Sequence, residues 1–279
     1  TDEMKVLSTP ALMGPWRVSP VITAARRWAA EARRNADVVV LAGHLVAAEE
    51  AVILHTIPDI AIVVSGHEHT GMKAPLSEGN RVLVRVQAKG EELGRLETVV
   101  NKETKSLASW NWKRIPVDRN SPVAADVARE VARWETEAAK VVDRPIGTSE
   151  REFSPQEVRA LIEAAMIDAT GADFAFMNQG GVRARIPKGP LLERHIWNVM
   201  PFDNLLVTAK VKGSALPPAV AQGRAVDPEK IYVLAVSDFT AANQSDPAQL
   251  GVTGLEFSKD GPLLRDAILD YVRKQANLK

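Results

Sequence analysis

Two stretches decide the fold of this chain: DVVVLAGH at residues 37–44 and IAIVVSGHEH at residues 60–69. Each contains a short, continuous apolar run, the pattern of a strand buried on both faces of a parallel sheet. A helix-like stretch, residues 47–56, lies between them. Strand, helix and strand within about 30 residues predict a βαβ unit with a right-handed crossover.

Composition limits the class of protein. The chain has 279 residues, of which 46% are hydrophobic and 25% charged, which is typical of a globular protein with room for two domains. Lys and Arg number 35, as do Asp and Glu, so we expect no nucleic-acid polymer and no membrane as partner. The absence of cysteine excludes disulfides and thiolate metal sites. No apolar run is long enough for a transmembrane helix, and no signal peptide is visible.

The pattern changes after residue 70 from long apolar runs to alternation. Residues 81–87, 94–101 and 107–117 predict antiparallel strands joined by turns. Trp110 and Trp112 share one face of the last strand, and we interpret them as core or domain-contact residues.

The second half of the chain predicts a mixture of helices and short strands. Residues 118–122 resemble a boundary, and a helix rich in Ala, Glu and Arg follows at 124–142. We therefore predict a first domain at 1–120, a linker helix at 121–142 and a second domain at 143–279. Within the last we expect a helix at 155–170 closed by Gly171, strands at 172–177, 205–211 and 231–236, and a final helix at 262–276.

Three histidines follow the two buried runs. We place His44 beyond the first run and His67 beyond the second, so both are expected at the carboxyl edge of the sheet, where functional groups of α/β proteins collect. In extended backbone His67 and His69 would point the same way, about 7 Å apart. That spacing suits two ions roughly 3.5–4 Å apart. Gly43 and Gly66 would allow close approach and unusual backbone angles.

Two other interpretations of these histidines remain open. They could be three polar residues at loop tips, or they could form a mononuclear metal site. The three imidazoles alone do not select among Zn, Mn, Fe and Ni. Two other histidines, His55 and His195, lie in helix-like stretches, and we interpret them as structural.

Two motifs in the second half extend the pattern. Residues 178–183 read NQGGVR and residues 201–204 read PFDN. Together with His44 and the GHEH run at 66–69, they resemble the metallophosphoesterase group that includes the 5′-nucleotidases. The resemblance covers nearly the whole chain, in motif order as well as in spacing.

The resemblance implies an α/β fold: part of a metallophosphoesterase α/β sandwich, followed by a second α/β domain that binds the nucleoside. It implies a hydrolase for phosphate esters of nucleotides that uses two divalent metal ions, Zn, Mn or similar, with nucleotides or nucleosides as its small-molecule partners. His44 and His67 resemble ligands of one ion, and His69 a ligand of the other. Export to the periplasm or the outside is usual in the family. The positions that resemble substrate contacts are Asn178, Gly181, Arg183, Phe202, Asn204 and Phe239.

The chain also departs from the family pattern. The family's opening metal-ligand motifs and its catalytic His-Asp pair have no counterpart, so no catalytic residue is assigned. We expect a missing N-terminal segment or a partner chain to supply them, and little phosphatase activity from the 279 residues alone. In the base-binding loop, Asn243 to Asp246 stands where the family has Gly-Gly-Asp. A non-catalytic nucleotide-binding module is the alternative function.

Overall fold

A computed structural model describes residues 1–5, 13–14 and 16–279 of the chain. Their packing divides them into two compact units. Unit 1 comprises residues 1–5, 13–14 and 16–123, and unit 2 comprises residues 124–279. Within the described residues, no helix combines the length and apolar character needed to cross a bilayer.

The described secondary structure alternates between helices and strands. The helices are α1 (Val21–Arg33), α2 (Ala47–Thr56), α3 (Ala125–Val142), α4 (Pro155–Thr170), α5 (Glu193–Val199), α6 (Pro218–Ala221), α7 (Asp238–Ala242) and α8 (Leu264–Gln275). The strands are β1 (Val39–Leu45), β2 (Ile60–His67), β3 (Leu76–Glu78), β4 (Arg81–Val84), β5 (Glu92–Asn101), β6 (Ser106–Pro116), β7 (Pro145–Ser149), β8 (Phe174–Ala175), β9 (Gly189–Leu192), β10 (Leu206–Lys212), β11 (Ile231–Ser237) and β12 (Asn277–Leu278). Short 3₁₀ turns cover Asp2–Lys5, Gln179–Gly181 and Gly213–Ala215.

Unit 1 is built on a four-stranded sheet of order β1-β2-β4-β3. β1 and β2 are parallel and α2 connects them, which confirms the predicted strand–helix–strand unit. The prediction that residues 81–87 form an antiparallel strand is wrong in part. β4 pairs parallel with β2 and antiparallel only with the short β3. Val82, Leu83 and Val84 are buried, as expected of a strand inside a sheet.

The two faces of this sheet are covered by different elements. One face packs against α1 and α2 through a cluster that includes Ala29, Ile53 and Val63. On the other, Trp110 and Trp112 pack partly buried against a cluster containing Val82 and Val84. The core interpretation of the two tryptophans is therefore confirmed. They come from β6, which forms the predicted antiparallel pair with β5.

Unit 2 contains two three-stranded sheets, β10-β11-β8 and β12-β7-β9. Its main cluster includes buried residues of α4 and α8, among them Ile162, Met166 and Ile268. Helix α4 begins and ends as its sequence predicts. Ser154 caps its first turn by accepting from the Glu157 amide, and Gly171 ends it in the left-handed conformation. The fold class, two α/β regions in succession, is confirmed.

Helix α3, the predicted linker, groups with unit 2. Arg194 of α5 bonds to Glu135 and Asp143 at its C-terminal half. No residue of α3 is buried. Its apolar stripe, which includes Val127, Val131 and Trp134, lines a shallow hollow that shares no residue with the predicted sites.

Candidate functional site

Two of the three predicted metal ligands lie side by side in unit 1. In the parallel pairing of β1 and β2, His44 is opposite Gly66, and Leu45 is opposite His67. The ring centroids of His44 and His67 are 4.8 Å apart and nearly perpendicular. His44 Nε2 is 3.0 Å from His67 Nδ1. The parallel strands therefore bring both imidazoles to one edge of the sheet, with ring nitrogens facing each other.

The local backbone differs from the sequence prediction. His44 lies inside β1, not beyond it, and His67 is the last residue of β2. His67 and His69 have φ angles of 84° and 56°, so the extended spacing expected between them is wrong. In this region the positive φ angles belong to His67 and His69, and neither Gly43 nor Gly66 has one. The chain leaves the sheet sharply here, and left-handed backbone costs a non-glycine residue free energy.

Two side chains hold the turn that contains these histidines. The Gln87 side chain donates to the His69 carbonyl (3.0 Å) and accepts from the Gly71 amide (3.1 Å). Arg85 donates to the Thr70 carbonyl at 2.8 Å. Its guanidinium also pairs with Glu50, which is only 1% exposed. These bonds, made by Arg85 and Gln87 just after β4, form a brace that offsets the cost of the left-handed backbone.

The facing nitrogens of the histidine pair are close to the spacing of two ligands on one divalent ion. Ring nitrogens bind zinc at about 2.0–2.1 Å, so two of them in tetrahedral coordination are roughly 3.3–3.4 Å apart, against 3.0 Å between His44 Nε2 and His67 Nδ1. Histidine ligands usually present the second ring nitrogen to a carboxylate or carbonyl. His67 does so, since its Nε2 is 3.3 Å from Glu3 Oε2. Within residues 1–5, 13–14 and 16–279, however, no group of three or more His, Cys, Asp or Glu is arranged to hold a metal.

The predicted substrate residues of unit 2 follow one edge of the β10-β11-β8 sheet. β8 and β11 are parallel, so the segments after both strands emerge at the same edge. β10 is antiparallel to β11 and begins there, with Leu206 opposite Ser237. This topology brings together three segments distant in sequence: the turn at 178–183, the loop at 200–204 and the start of α7.

Direct contacts connect these segments. The Arg183 guanidinium carbon is 5.9 Å from the centroid of the Phe202 ring, which is 41% exposed. The Asn204 side chain donates to Asp238 Oδ1 at 2.8 Å. The Phe239 amide donates to the same oxygen at 2.8 Å. Asp238 therefore connects the two segments that carry the predicted aromatic residues.

The 178–183 turn is compact. Asn178 is 8% exposed, and its carbonyl accepts from the Gly181 amide. The Arg183 side chain donates to the Gly180 carbonyl (3.2 Å), and its amide donates to the Val199 carbonyl. Both bonds orient Arg183 towards the loop that contains Phe202. The turn combines backbone amides with a guanidinium, groups that bind anionic or polar edges.

His55 and His195 have structural contacts, as expected. His55 Nδ1 lies 2.7 Å from Glu78. His195 Nδ1 accepts from the Leu192 amide at the start of α5. Burial lowers the pKa of His195, and the charge of Arg194 lowers it further, against an opposing effect of Asp143. A neutral imidazole is required for that acceptor role, because a protonated ring has no free lone pair.

Sequence reasoning missed three residues of these sites. Asp238 stands directly before Phe239 in an SDFT stretch, and Ser237 there accepts from the Thr240 amide as a helix cap. That capping pattern is a readable signal for a helix start. Glu3 pairs with His67, and Arg265 of α8 donates to the Phe202 carbonyl, both across long sequence separations. No local pattern reveals such contacts.

Comparison with known protein families gives a match in unit 2. Residues 135–221 match the model of the 5′-nucleotidase C-terminal domain. The chain is 22% identical over 275 residues to endonuclease YhcR of Bacillus subtilis, an alignment that covers 83% of this chain and 22% of the relative. It is 31% identical over 121 residues to protein UshA of Yersinia enterocolitica, covering 32% of this chain and 22% of that protein. The chain thus spans less than a quarter of the length of either relative.

A solved structure extends the similarity to both units. The 5′-nucleotidase precursor from Thermus thermophilus superposes with a TM-score of 0.79 at 17% identity. The superposition covers 94% of this chain and 66% of that one. At this identity the similarity concerns the fold alone.

Proposed function

We propose that the chain is a member of the 5′-nucleotidase family and that the intact protein hydrolyses phosphate esters of nucleotides, because residues 135–221 match the family's C-terminal domain and its relatives include protein UshA. One observation carries the proposal. The residues whose motifs resemble nucleoside contacts meet at a single sheet edge in unit 2, the unit that contains residues 135–221, which match the 5′-nucleotidase C-terminal domain. Unit 2 would bind the nucleoside, and the histidines of unit 1 would contribute to the metal centre.

The chemistry of the unit 2 site suits a nucleoside. Phe202 offers an exposed ring face, and stacking a base on an aromatic side chain contributes about 1–3 kcal/mol. Phe239 would be the second ring, with its backbone held by Asp238. Asn204 would provide a polar contact beside the base, and Arg183 a fixed, planar donor. Asn178 and Gly181 would shape the turn that meets the sugar or phosphate.

Calorimetry with adenosine and AMP tests this nucleoside site. We expect millimolar or tighter binding to the chain, and a loss on the order of tenfold for Phe202→Ala because the stacked face is removed. The matched control is Trp134→Ala, which removes an exposed aromatic ring of α3 in the same unit. Equal binding by wild type and Phe202→Ala would contradict the assignment of Phe202.

We propose two divalent ions, such as zinc or manganese, as the cofactor of the intact protein. His44 and His67 would hold one ion through facing ring nitrogens, with Glu3 orienting His67. His69 would contribute to the other. Bound ions of this kind polarise phosphoryl oxygens and lower the pKa of water. The left-handed turn at 67–69 and its brace would keep the imidazoles in place before metal arrives.

Metal binding can be measured without reference to activity. We expect the chain to bind Zn²⁺ or Mn²⁺ in equilibrium dialysis, and His67→Ala to weaken that binding by at least tenfold. His55→Ala is the matched control, since His55 pairs with Glu78 away from the histidine pair. Unchanged metal affinity in His67→Ala would remove His67 from the ligand set.

The competing function is a nucleotide-binding module without catalysis. It and the hydrolase share the nucleoside site but differ at the metal centre. Binding of adenosine by the intact protein, with no release of phosphate from AMP in the presence of Mn²⁺ or Zn²⁺, would favour the module. By analogy with the family we also propose a periplasmic or extracellular location, which cell fractionation tests.

A further inference from the structure

Arg265 lies near the start of α8, yet its side chain serves another segment. It is 4% exposed and contacts the loop at 200–204, which joins α5 to β10. Its Nη1 donates to the carbonyls of Met200 (3.3 Å) and Phe202 (3.1 Å). Its Nη2 donates to Asp203 Oδ1 at 2.6 Å. One guanidinium thus bonds to three residues of the 200–204 loop: Met200, Phe202 and Asp203.

A fourth contact completes the surroundings of this cation. The Arg265 guanidinium carbon is 3.6 Å from the ring centroid of Trp197 on α5. The location does not benefit α8 itself, because a positive charge near a helix N-terminus opposes the helix dipole. Asp203 is 79% exposed on its side chain and would be well solvated without a partner. The main effect of these contacts is therefore to fix the 200–204 loop, and not to stabilise α8 or the charge of Asp203.

The loop is fixed in its backbone but exposed at its aromatic ring. The Phe202 carbonyl is bonded to Arg265, and the Asn204 carbonyl accepts from the Leu264 amide at 2.8 Å. Phe202 as a whole is nonetheless 41% exposed, and its ring lies beside Arg183. An exposed ring on a fixed backbone is preorganised, so a base that stacks on it pays little conformational entropy.

We propose that Arg265 is a positioning residue for base recognition: by holding the 200–204 loop it fixes the Phe202 ring where a nucleobase stacks. This inference rests on the proposed function of Phe202. Arg265 itself would contact no substrate, and it would affect the proposed nucleoside site only through the 200–204 loop. Its effect should therefore fall on the base and not on the phosphate or sugar.

The first test measures the free chain. Arg265→Lys keeps the charge but lacks the planar fork, so it cannot bond to Met200, Phe202 and Asp203 together. We expect hydrogen exchange in a peptide covering 198–206 to become about tenfold faster. Arg224→Lys is the matched control, because Arg224 stacks on Phe174 and bonds to the Asp173 carbonyl elsewhere in unit 2.

The second test measures binding with two probes. We expect Arg265→Lys to weaken adenosine binding about tenfold and to change the affinity for ribose 5-phosphate less than twofold. Equal losses for both probes, or no loss for either, would overturn the inference. If Arg265→Lys does not fold, Asp203→Ala is the second variant, because it removes one of the bonds between Arg265 and the 200–204 loop. It is expected to reduce adenosine affinity by roughly two- to threefold.

The two measurements separate the possible failures. Adenosine binding by wild type with unchanged loop exchange and affinity in Arg265→Lys would refute the positioning role alone. Faster loop exchange in Arg265→Lys, with no nucleoside bound by wild type, would refute the nucleoside site of the proposed function. Without that nucleoside site, the proposed role of Arg265 in base recognition would also be refuted.

Discussion

Glycines 180 and 181 are adjacent in the 178–183 turn but differ in what surrounds them. A Cβ on Gly181 would lie 2.0 Å from Met177 Cε and 2.9 Å from Asn178 Oδ1. A Cβ on Gly180 would meet nothing closer than Asn178 Nδ2 at 3.6 Å, an ordinary contact. The family motif therefore has a physical reason at 181: the turn packs onto the buried Met177 side chain.

We predict that Gly181→Ala destabilises the chain by about 1 kcal/mol and displaces the Asn178 side chain, because an added methyl group overpacks this turn. This destabilisation is at the low end of the range for overpacked cores, because the end of the flexible Met177 side chain can move. Nucleoside affinity should fall as Asn178 shifts. Gly180→Ala is the matched control and should retain stability and affinity. Urea unfolding and calorimetry measure both, and identical results for the two variants would contradict the packing argument.

At the scale of elements, the start of α5 depends on a titrating side chain. The Leu192 amide donates to His195 Nδ1, an internal cap for the first turn. Burial lowers the pKa of His195 below its ordinary value of 6.5. The unfolded chain therefore binds this proton more readily than the folded chain does.

We predict that this part of the stability is present above about pH 6.5 and is lost as the pH falls through and below that value. His195→Asn can keep a short side-chain acceptor but does not titrate, so it should flatten the decline of the melting temperature between pH 7.5 and pH 5.5. The wild-type chain, measured under the same conditions, is the comparison. A decline that is equally steep in His195→Asn would show that other groups cause it.

At the scale of the whole molecule, each unit has its own apolar clusters. The two clusters of unit 2 consist of residues between Ile146 and Leu278. Those of unit 1 consist of residues between Val21 and Trp112. A unit of roughly 150 residues buries enough of its surface to fold by itself.

We predict that residues 124–279 expressed alone fold cooperatively and bind adenosine as tightly as the whole chain, because the predicted nucleoside contacts all lie within unit 2. Calorimetric unfolding and an adenosine titration check the two parts of this prediction. The fragment should bind Zn²⁺ and Mn²⁺ more weakly than the whole chain does, because it lacks the histidines of unit 1. A fragment without a cooperative transition would show that unit 2 needs residues outside 124–279.

The sequence by itself determined the elements that depend on local pattern. Buried runs such as 60–65 predict parallel strands because apolarity is continuous along them, and Gly171 marks the end of α4 because glycine readily adopts the left-handed conformation of a C-cap. Motif order also sufficed to recognise the resemblance to the 5′-nucleotidases, whose C-terminal domain model matches residues 135–221. These properties are local, or they persist as spacing along the chain, so they are readable without coordinates.

Only the tertiary structure decided which distant groups meet and in what geometry. It placed His44 inside β1, set His67 and His69 in left-handed backbone, and aligned β4 parallel to β2. Contacts such as Glu3 with His67 and Arg265 with Phe202 join residues 64 and 63 positions apart. Such contacts form because strand pairing and core burial fold the chain back on itself. The free energy that selects them belongs to the packed whole, and no local run of residues records it.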